Sequence, residues 1–165
     1  MDDLQLPLCC ELKVPGYTDA LRSNATKPTI LAADDDEDNL LLLAYALEPL
    51  GCTLLTAVDG SSALAIARSF QPDLILLDVL MPHMDGVEVV SHLRKNSTTK
   101  AISVIAVTAL AIVEDRERLL RAGFNDYISK PYLLEDIEAL VRRHLLLRRT
   151  IFSPLEPRQD CELLA

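Results

Sequence analysis

Aromatic residues are scarce in this sequence. They make up 4% of its 165 residues, and tryptophan is absent. Aliphatic residues compensate, because half of the chain is hydrophobic and Leu, Ile, Val and Ala dominate that half. This is ample material for a packed core, and the length predicts one domain with some surplus, since domains cluster near about 100–150 residues.

Long hydrophobic runs are also missing. No aliphatic run approaches the roughly 20 residues that a membrane-spanning helix requires. The N-terminus begins with Asp2 and Asp3, and no apolar segment of the kind found in signal peptides follows them. We therefore expect no membrane segment and a cytoplasmic location.

Basic residues are in deficit. The chain has 16 Lys and Arg against 25 Asp and Glu, which gives a net charge of −9. A protein that binds the nucleic-acid backbone needs clustered Lys and Arg. The composition therefore predicts no nucleic-acid partner and favours cationic or metal-bridged partners.

The four cysteines show no metal-ligand spacing. Cys9 and Cys10 are neighbours, and their Cα atoms, about 3.8 Å apart, are too close for ordinary disulfide geometry. We expect these two, Cys52 and Cys161 to be free thiols in a reducing compartment.

A regular alternation of short and long segments begins at Thr29. Residues 1–27 contain prolines and no sustained period, which predicts a loosely ordered N-terminal extension. Residues 28–149 form the predicted domain, and residues 150–165 hold two prolines and form a predicted C-terminal tail. Within the domain, five short apolar runs predict strands: "TILAAD", "TLLTAV", "DLILLD", "ISVIAV" and "DYIS".

Five strands alternating with five helical segments predict an α/β fold. The apolar runs lack polar alternation, which is typical of strands buried on both faces. A closed barrel would need eight such units. We therefore expect a flavodoxin-like (βα)5 doubly wound parallel sheet with strand order 2-1-3-4-5.

Polar residues stand where the predicted strands end. Asp34 and Asp35 close the first strand, Asp78 closes the third, Thr108 closes the fourth, and Lys130 follows the fifth. Ligands of such sheets bind beyond the carboxyl ends of the strands, where the winding reverses. Neighbouring strands lie about 4.8 Å apart, so Asp35 and Asp78 can share one ion.

This arrangement predicts phosphoryl chemistry with Mg²⁺. Oxygen-only ligands with room for water and phosphate oxygens are what Mg²⁺ prefers. A carboxylate beside that cation can act as a nucleophile towards phosphorus and form an aspartyl phosphate. Lys130 and Thr108 would then stabilise charge on the transferred group.

Four segments in order, "ILAADDDED", "DLILLDVLMPHMDG", "VIAVTA" and "DYISKPY", closely resemble the receiver domain of two-component response regulators of the chemotaxis-regulator type. The resemblance covers residues 29–148. It implies that Asp78 is the phosphoacceptor and that Asp35 is a direct Mg²⁺ ligand. By the same resemblance Asp34 acts on the metal through water, and the backbone carbonyl of Leu80 completes the metal shell.

The resemblance also assigns a switch. Thr108 and Lys130 match the hydroxyl and the lysine that contact the phosphoryl group. Tyr127 matches the aromatic residue that changes rotamer on activation. The Lys130–Pro131 bond matches the family's cis peptide, and Tyr132 departs from the phenylalanine that is more usual at its position.

The resemblance implies a phosphoprotein of a phosphorelay that works as a switch and not as an enzyme with a free substrate. Phosphoryl donors would be a sensor histidine kinase or a histidine phosphotransfer protein, with Asn39 and Leu42 of the first helix as candidates for docking. No output domain is evident, so we expect a stand-alone receiver with an unknown protein target. A phosphorylation-dependent dimer through helix 4, strand 5 and helix 5 is a further expectation.

Two alternatives stay open on the sequence. One is a receiver-fold interaction module that is never phosphorylated. The other is a phosphohydrolase of the haloacid-dehalogenase type, which uses an "Asp-x-Asp" motif on its first strand. Asp34 and Asp36 satisfy that motif superficially, but Asp78 would then have no role.

Overall fold

The computed structural model describes residues 27–109 and 113–152. The predicted N-terminal extension, up to residue 26, and the predicted tail from residue 153 onwards lie outside the described residues. Cys52 is a free thiol, as expected, while the other three cysteines fall outside these ranges. Among the described helices, none is both long and apolar enough to cross a membrane.

Strands and helices alternate through the described chain as the sequence predicts. The strands are β1 Thr29–Ala33, β2 Thr53–Ala57, β3 Leu74–Asp78, β4 Ser103–Thr108 and β5 Asp126–Ser129. The helices are α1 Glu37–Leu47, α2 Gly60–Phe70, α3 Gly86–Lys95, α4 Val113–Ala122 and α5 Leu134–Phe152.

The five strands form one parallel sheet in the order β2-β1-β3-β4-β5, which confirms the predicted flavodoxin-like fold. Neighbouring residues of one strand fall into different cores. Ile30 belongs to the core beneath α1 and α5, whereas Leu31 belongs to the core beneath α2, α3 and α4. Because both faces are covered, a continuous apolar run is what this sheet requires.

Aspartates cap three of the helices. The side chains of Asp36, Asp59 and Asp85 accept backbone hydrogen bonds at the starts of α1, α2 and α3. Such caps satisfy N–H groups that have no partner inside the helix. Asp36 thus has a structural role as the cap of α1, so its place in the acidic run is explained without a bound cation.

α1 and α5 end in different ways. α1 stops at Leu47, and a 3-10 turn covers Glu48–Leu50. Pro49 lies in this turn and lacks the N–H that an α-helix would need. At the other end of the chain, α5 runs to Phe152 and so extends past the predicted boundary at residue 149.

Candidate functional site

The sheet register brings the acidic residues to one edge. β1 and β3 are neighbours, and Ala33 pairs with Leu77. Asp34 follows Ala33 and Asp78 follows Leu77, so the two aspartates lie side by side at the carboxyl ends of β1 and β3. This edge is the switch point of the winding, where the sequence predicted the site.

Three carboxylates converge there. One ligand oxygen from each of Asp34, Asp35 and Asp78 lies within 4.8 Å of the others. Asp34 is 1% exposed and Asp78 is 5% exposed, while Asp35 is open to solvent. The two inner carboxylates are therefore shielded from water, and the outer one is accessible.

Lys130 brings a positive charge to the carboxylates. Its Nζ lies 2.7 Å from Asp34 Oδ2 and 3.1 Å from Asp78 Oδ2. Burial alone would lower the pKa of the Lys130 ammonium, but its hydrogen bonds to the two carboxylates outweigh burial and raise that pKa. The main chain of Lys130 is fixed as well, since its backbone N–H donates to the Thr108 carbonyl at 2.7 Å.

Asp34 is fully engaged by the protein. Its Oδ1 accepts from the Asp36 N–H at 3.0 Å and from Asn39 Nδ2 at 3.1 Å, in addition to the Lys130 contact at Oδ2. Within the described part of the chain, no such donor contacts the Asp35 carboxylate. The contrast favours Asp35 as the carboxylate that is free to bind an ion directly, and Asp34 as one that acts through an intermediary.

Asn39 has a contact that the sequence did not predict. It was proposed as a docking residue, yet its amide holds Asp34. Asn39 stands in the first turn of α1, five residues after Asp34. This short separation along the chain is the feature of the sequence from which the contact could have been predicted. Leu42, the other docking candidate, lies on α1 with 46% of its side chain exposed.

Asp78 is held in place by its own loop. The N–H of Leu80 donates to Asp78 Oδ1 at 3.0 Å. Burial raises the pKa of the Asp78 carboxyl, and the hydrogen bonds from Leu80 and Lys130 oppose that rise without cancelling it. A divalent cation beside Asp78 would favour the ionised form.

Thr108 and Tyr127 lie next to this edge on β4 and β5. Thr108 is fully buried, and Asp78 pairs with Val107, the residue before it. Tyr127 pairs with Ala106 and packs partly buried against the core beneath α2, α3 and α4. Since Ala106 belongs to the same core and Thr108 is two residues further on, Thr108 and Tyr127 share one face of the sheet.

Gly86 is a residue of the site that the sequence did not single out. Its N–H donates to the Val79 carbonyl at 3.0 Å, and a Cβ at this position would lie 2.5 Å from the Asp78 carbonyl oxygen. Only glycine permits so close an approach. The start of α3 therefore supports the backbone of Asp78.

Tyr132 carries a buried hydroxyl for which the described residues supply no hydrogen-bond partner. Burial raises the pKa of this phenol. The Lys130–Pro131 peptide before it is cis, as the resemblance implies.

Replacing Tyr132 with phenylalanine is expected to raise the free energy of unfolding by about 1 kcal/mol, because an unpaired buried hydroxyl costs about 1–3 kcal/mol. Urea denaturation measures the change. Tyr45→Phe is the matched control, since Tyr45 is 58% exposed and its hydroxyl is free to bond with water. A Tyr132→Phe protein less stable than wild type would contradict the expectation and show that the hydroxyl is paired.

The donor set fits Mg²⁺. All three candidate ligands are carboxylates, and hard oxygen ligands suit this cation. Among the described residues, three carboxylates face one ammonium, so this part of the site has excess negative charge that a divalent cation would neutralise. The haloacid-dehalogenase reading fits less well, because Asp36 caps α1 and Asp34 is bound by Lys130.

Comparison with known proteins gives a consistent result. A family model described as the response regulator receiver domain matches residues 30–142. The receiver domain of the sensor histidine kinase PA1611 from Pseudomonas aeruginosa, solved with a magnesium ion coordinated in its active-site cleft, superimposes with a TM-score of 0.67 at 30% identity. That alignment covers 73% of this chain and 98% of that one.

Two curated relatives are longer proteins. The probable transcriptional regulatory protein TcrX of Mycobacterium tuberculosis is 40% identical over 129 residues, which are 78% of this chain and 53% of that protein. The DNA-binding dual master transcriptional regulator RpaA of a Synechocystis strain is 41% identical over 123 residues, which are 74% of this chain and 50% of that protein. The chain thus spans about half the length of these relatives.

Proposed function

The chain belongs to the response regulator receiver domain family, and on that premise we propose that it accepts a phosphoryl group on Asp78 and acts as a phosphorylation-driven switch. The observation that carries the proposal is the placement of Asp78. It is a buried carboxylate at the switch point, with two further carboxylates and the Lys130 ammonium beside it. Phosphoryl transfer to a carboxylate needs this combination of a nucleophile and positive charge.

In this proposal Asp35, Asp78 and the backbone carbonyl of Leu80 would hold Mg²⁺, and Asp34 would act through water. When bound, the cation supplies charge neutralisation for the phosphoryl oxygens. The hydrogen bonds to Asp34 from Lys130, Asn39 and the Asp36 N–H keep its carboxylate in a fixed orientation.

The transfer is a substitution at phosphorus. One Asp78 carboxylate oxygen forms the new O–P bond while the P–N bond of a phosphohistidine donor breaks, and the leaving imidazole nitrogen keeps the electron pair. The Lys130 ammonium stabilises charge on the phosphoryl oxygens, and the Thr108 hydroxyl donates a hydrogen bond to one of them. Hydrolysis of the product by water restores Asp78.

These steps make the domain a switch with self-catalysed phosphorylation and dephosphorylation, and not an enzyme with a free substrate. The bond to the phosphoryl group draws Thr108 towards the site, and Tyr127 on the same face of the sheet responds by a change of rotamer. The equilibrium between two conformations of the α4, β5 and α5 surface shifts as a result.

The proposed donors are a sensor histidine kinase or a histidine phosphotransfer protein. Leu42 supports docking on α1, and the neighbouring Leu41 and Tyr45 are also exposed, by 53% and 58%. Asn39 serves this surface indirectly, since its amide is bound to Asp34. The downstream target and a dimer through α4, β5 and α5 stay predictions.

Two expectations are not shown by the two relatives described above. A stand-alone receiver without a nucleic-acid partner was predicted, but TcrX and RpaA are about twice as long as the aligned segment, and RpaA is described as DNA-binding. Both expectations stay predictions, as does the cytoplasmic location. The non-phosphorylated module is the less favoured function, because the described site holds every charged group that the chemistry needs.

Intact mass after incubation with acetyl phosphate tests the proposal. Wild type is expected to gain one phosphoryl group in the presence of Mg²⁺ and none when the metal is chelated. Asp78→Asn is expected to gain none under either condition. Asp85→Asn is the matched control, because Asp85 caps α3 outside the acidic cluster, and it should gain the group as wild type does.

Two results would contradict the proposal. One is a folded wild-type protein that gains no mass with Mg²⁺ and donor present. The other is a mass gain that persists in Asp78→Asn.

A further inference from the structure

Arg94, in the last turn of α3, makes four hydrogen bonds to uncharged acceptors. Nε donates to the Gly123 carbonyl at 2.9 Å, and Nη2 donates to Asn125 Oδ1 at 2.8 Å. Nη1 donates to the carbonyls of Lys100 and Ile102, both at 2.8 Å. One side chain thus ties the end of α3 to the loop before β4 and to the connection between α4 and β5.

The connection itself, residues 123–125, is held by further bonds. The Asn125 N–H donates to the Val104 carbonyl at 2.7 Å, and Asn125 Oδ1 accepts from the Val104 N–H at 2.8 Å. Phe124 is 3% exposed and donates its N–H to the Leu119 carbonyl at 3.1 Å. We call residues 123–125 the α4–β5 junction.

Among the described residues, none supplies a counter-charge to the Arg94 guanidinium. Within the described ranges no carboxylate forms an ion pair with Arg94, and burial lowers its pKa. A partly buried cation without a carboxylate depends on its hydrogen bonds to offset lost hydration. Hydrogen bonds from a charged donor are stronger than those between neutral groups, so displacing the junction from Arg94 would be costly.

The two ends of α4 therefore differ in what they adjoin: the first lies near the candidate site, and the last adjoins the junction held by Arg94. Its first residue, Val113, follows shortly after Thr108, the residue that contacts the phosphoryl group in the proposed function. Its last turn leads into the junction that Arg94 holds. A displacement that starts at Thr108 therefore reaches the beginning of α4 first, whereas the end of α4 is held in place by the hydrogen bonds of Arg94 to the α4–β5 junction.

We propose that Arg94 is a positioning residue that fixes the α4–β5 junction as a pivot, so that phosphorylation of Asp78 moves the start of α4 and leaves its end in place. The inference rests on the proposed function. It adds that α3, which carries none of the reacting groups, confines the conformational change to one end of α4. Loss of Arg94 lets the change spread into the junction.

Hydrogen exchange measured by mass spectrometry, with and without acetyl phosphate and Mg²⁺, tests the pivot. In wild type, phosphorylation is expected to change exchange in peptides from the start of α4 and from β5, while peptides containing residues 123–125 stay unchanged. In Arg94→Met the phosphorylation-dependent change is expected to extend to residues 123–125, by about tenfold or more if one charge-assisted hydrogen bond is lost. Arg121→Met is the matched control, because the Arg121 side chain is exposed on α4 and pairs with Glu117 of the same helix.

Intact mass of each sample separates the two claims. A wild type that takes up no phosphoryl group overturns the proposed function. A wild type that is phosphorylated and shows equal changes at both ends of α4 overturns the pivot alone.

A purely structural role for Arg94 would lower the thermal midpoint of Arg94→Met and leave the pattern of phosphorylation-dependent exchange as in wild type, which also overturns the pivot. Arg94→Lys provides a folded alternative if Arg94→Met does not fold. It keeps the charge but cannot reach four acceptors at once. The pivot predicts an intermediate spread of exchange into residues 123–125 for Arg94→Lys, and an unchanged wild-type pattern there would contradict it.

Discussion

Lys130→Met is expected to slow phosphoryl uptake by Asp78 about 100-fold or more. Removing one group that stabilises developing charge in an enclosed site typically costs about 10²–10³ in rate. Lys130 Nζ lies 3.1 Å from Asp78 Oδ2 and is the described cation at this carboxylate. Timed intact-mass measurements with acetyl phosphate and saturating Mg²⁺ give the rate.

The same substitution should reduce stability when Mg²⁺ is absent. Without the ammonium, the buried carboxylates of Asp34 and Asp78 face each other uncompensated, and breaking a buried ion pair costs about 3–5 kcal/mol. Lys130 is partly accessible, with 20% of its side chain exposed, so we expect a loss nearer the lower figure. Mg²⁺ should restore part of that loss in the Lys130→Met protein, since the cation replaces the missing positive charge.

The stability difference has a defined pH dependence. The pKa of Lys130 is raised in the folded protein, so its stabilising contribution is complete below the ordinary lysine pKa of about 10.4 and disappears as pH rises through the higher folded value. The difference in unfolding free energy between wild type and Lys130→Met should therefore persist from about pH 8 to about pH 10. Lys95→Met, a change at an exposed lysine of α3, should leave both rate and stability within error of wild type. Equal losses in Lys95→Met and Lys130→Met would contradict a specific role for Lys130.

Gly86→Ala is expected to lower the free energy of unfolding by about 3 kcal/mol or more. The new Cβ would lie 2.5 Å from the Asp78 carbonyl oxygen and 2.9 Å from the Val79 Cα. Both are backbone atoms, so no side-chain rotation relieves the overlap, and overpacking of this kind typically costs about 1–3 kcal/mol and occasionally more. Because the backbone that must shift is that of Asp78, phosphoryl uptake should also decline.

Gly51→Ala separates crowding from backbone strain. Gly51 has a positive φ of 58°, but no atom lies within 4 Å of the position its Cβ would occupy. Its substitution should cost about 1–2 kcal/mol from the left-handed conformation alone and leave phosphoryl uptake unchanged. Urea denaturation of both variants gives the comparison. A Gly86→Ala protein no less stable than Gly51→Ala would show that the start of α3 does not press on Asp78.

The fold could be predicted because burial on both faces of the sheet leaves a simple trace in the sequence. β3, with all five residues buried, appears as the uninterrupted run "LILLD". The site followed from the same reasoning, since Asp34, Asp78 and Thr108 are the polar residues that end such runs. Their convergence depends only on the strand order and the register.

Other features of the site leave no such trace. Gly86 matters because of a close backbone approach, which depends on how the loop after β3 folds back. Asn39, near the start of α1, donates a hydrogen bond to Asp34, and Arg94 donates one to the carbonyl of Gly123, far along the chain. In the sequence each looks like an ordinary polar residue of an amphipathic helix. The end of α5 lies beyond the predicted domain boundary at residue 149, because helix boundaries depend on local packing as much as on periodicity.

The most direct test of the account is to locate the phosphoryl group. Borohydride reduction converts an aspartyl phosphate to homoserine, and peptide sequencing by mass spectrometry then identifies the residue. After treatment with acetyl phosphate and Mg²⁺, the account predicts homoserine at position 78 and aspartate at positions 34 and 35. Homoserine at position 34 would contradict the account and favour a hydrolase with its nucleophile on β1, and unmodified aspartate at all three positions would contradict phosphoacceptor chemistry altogether.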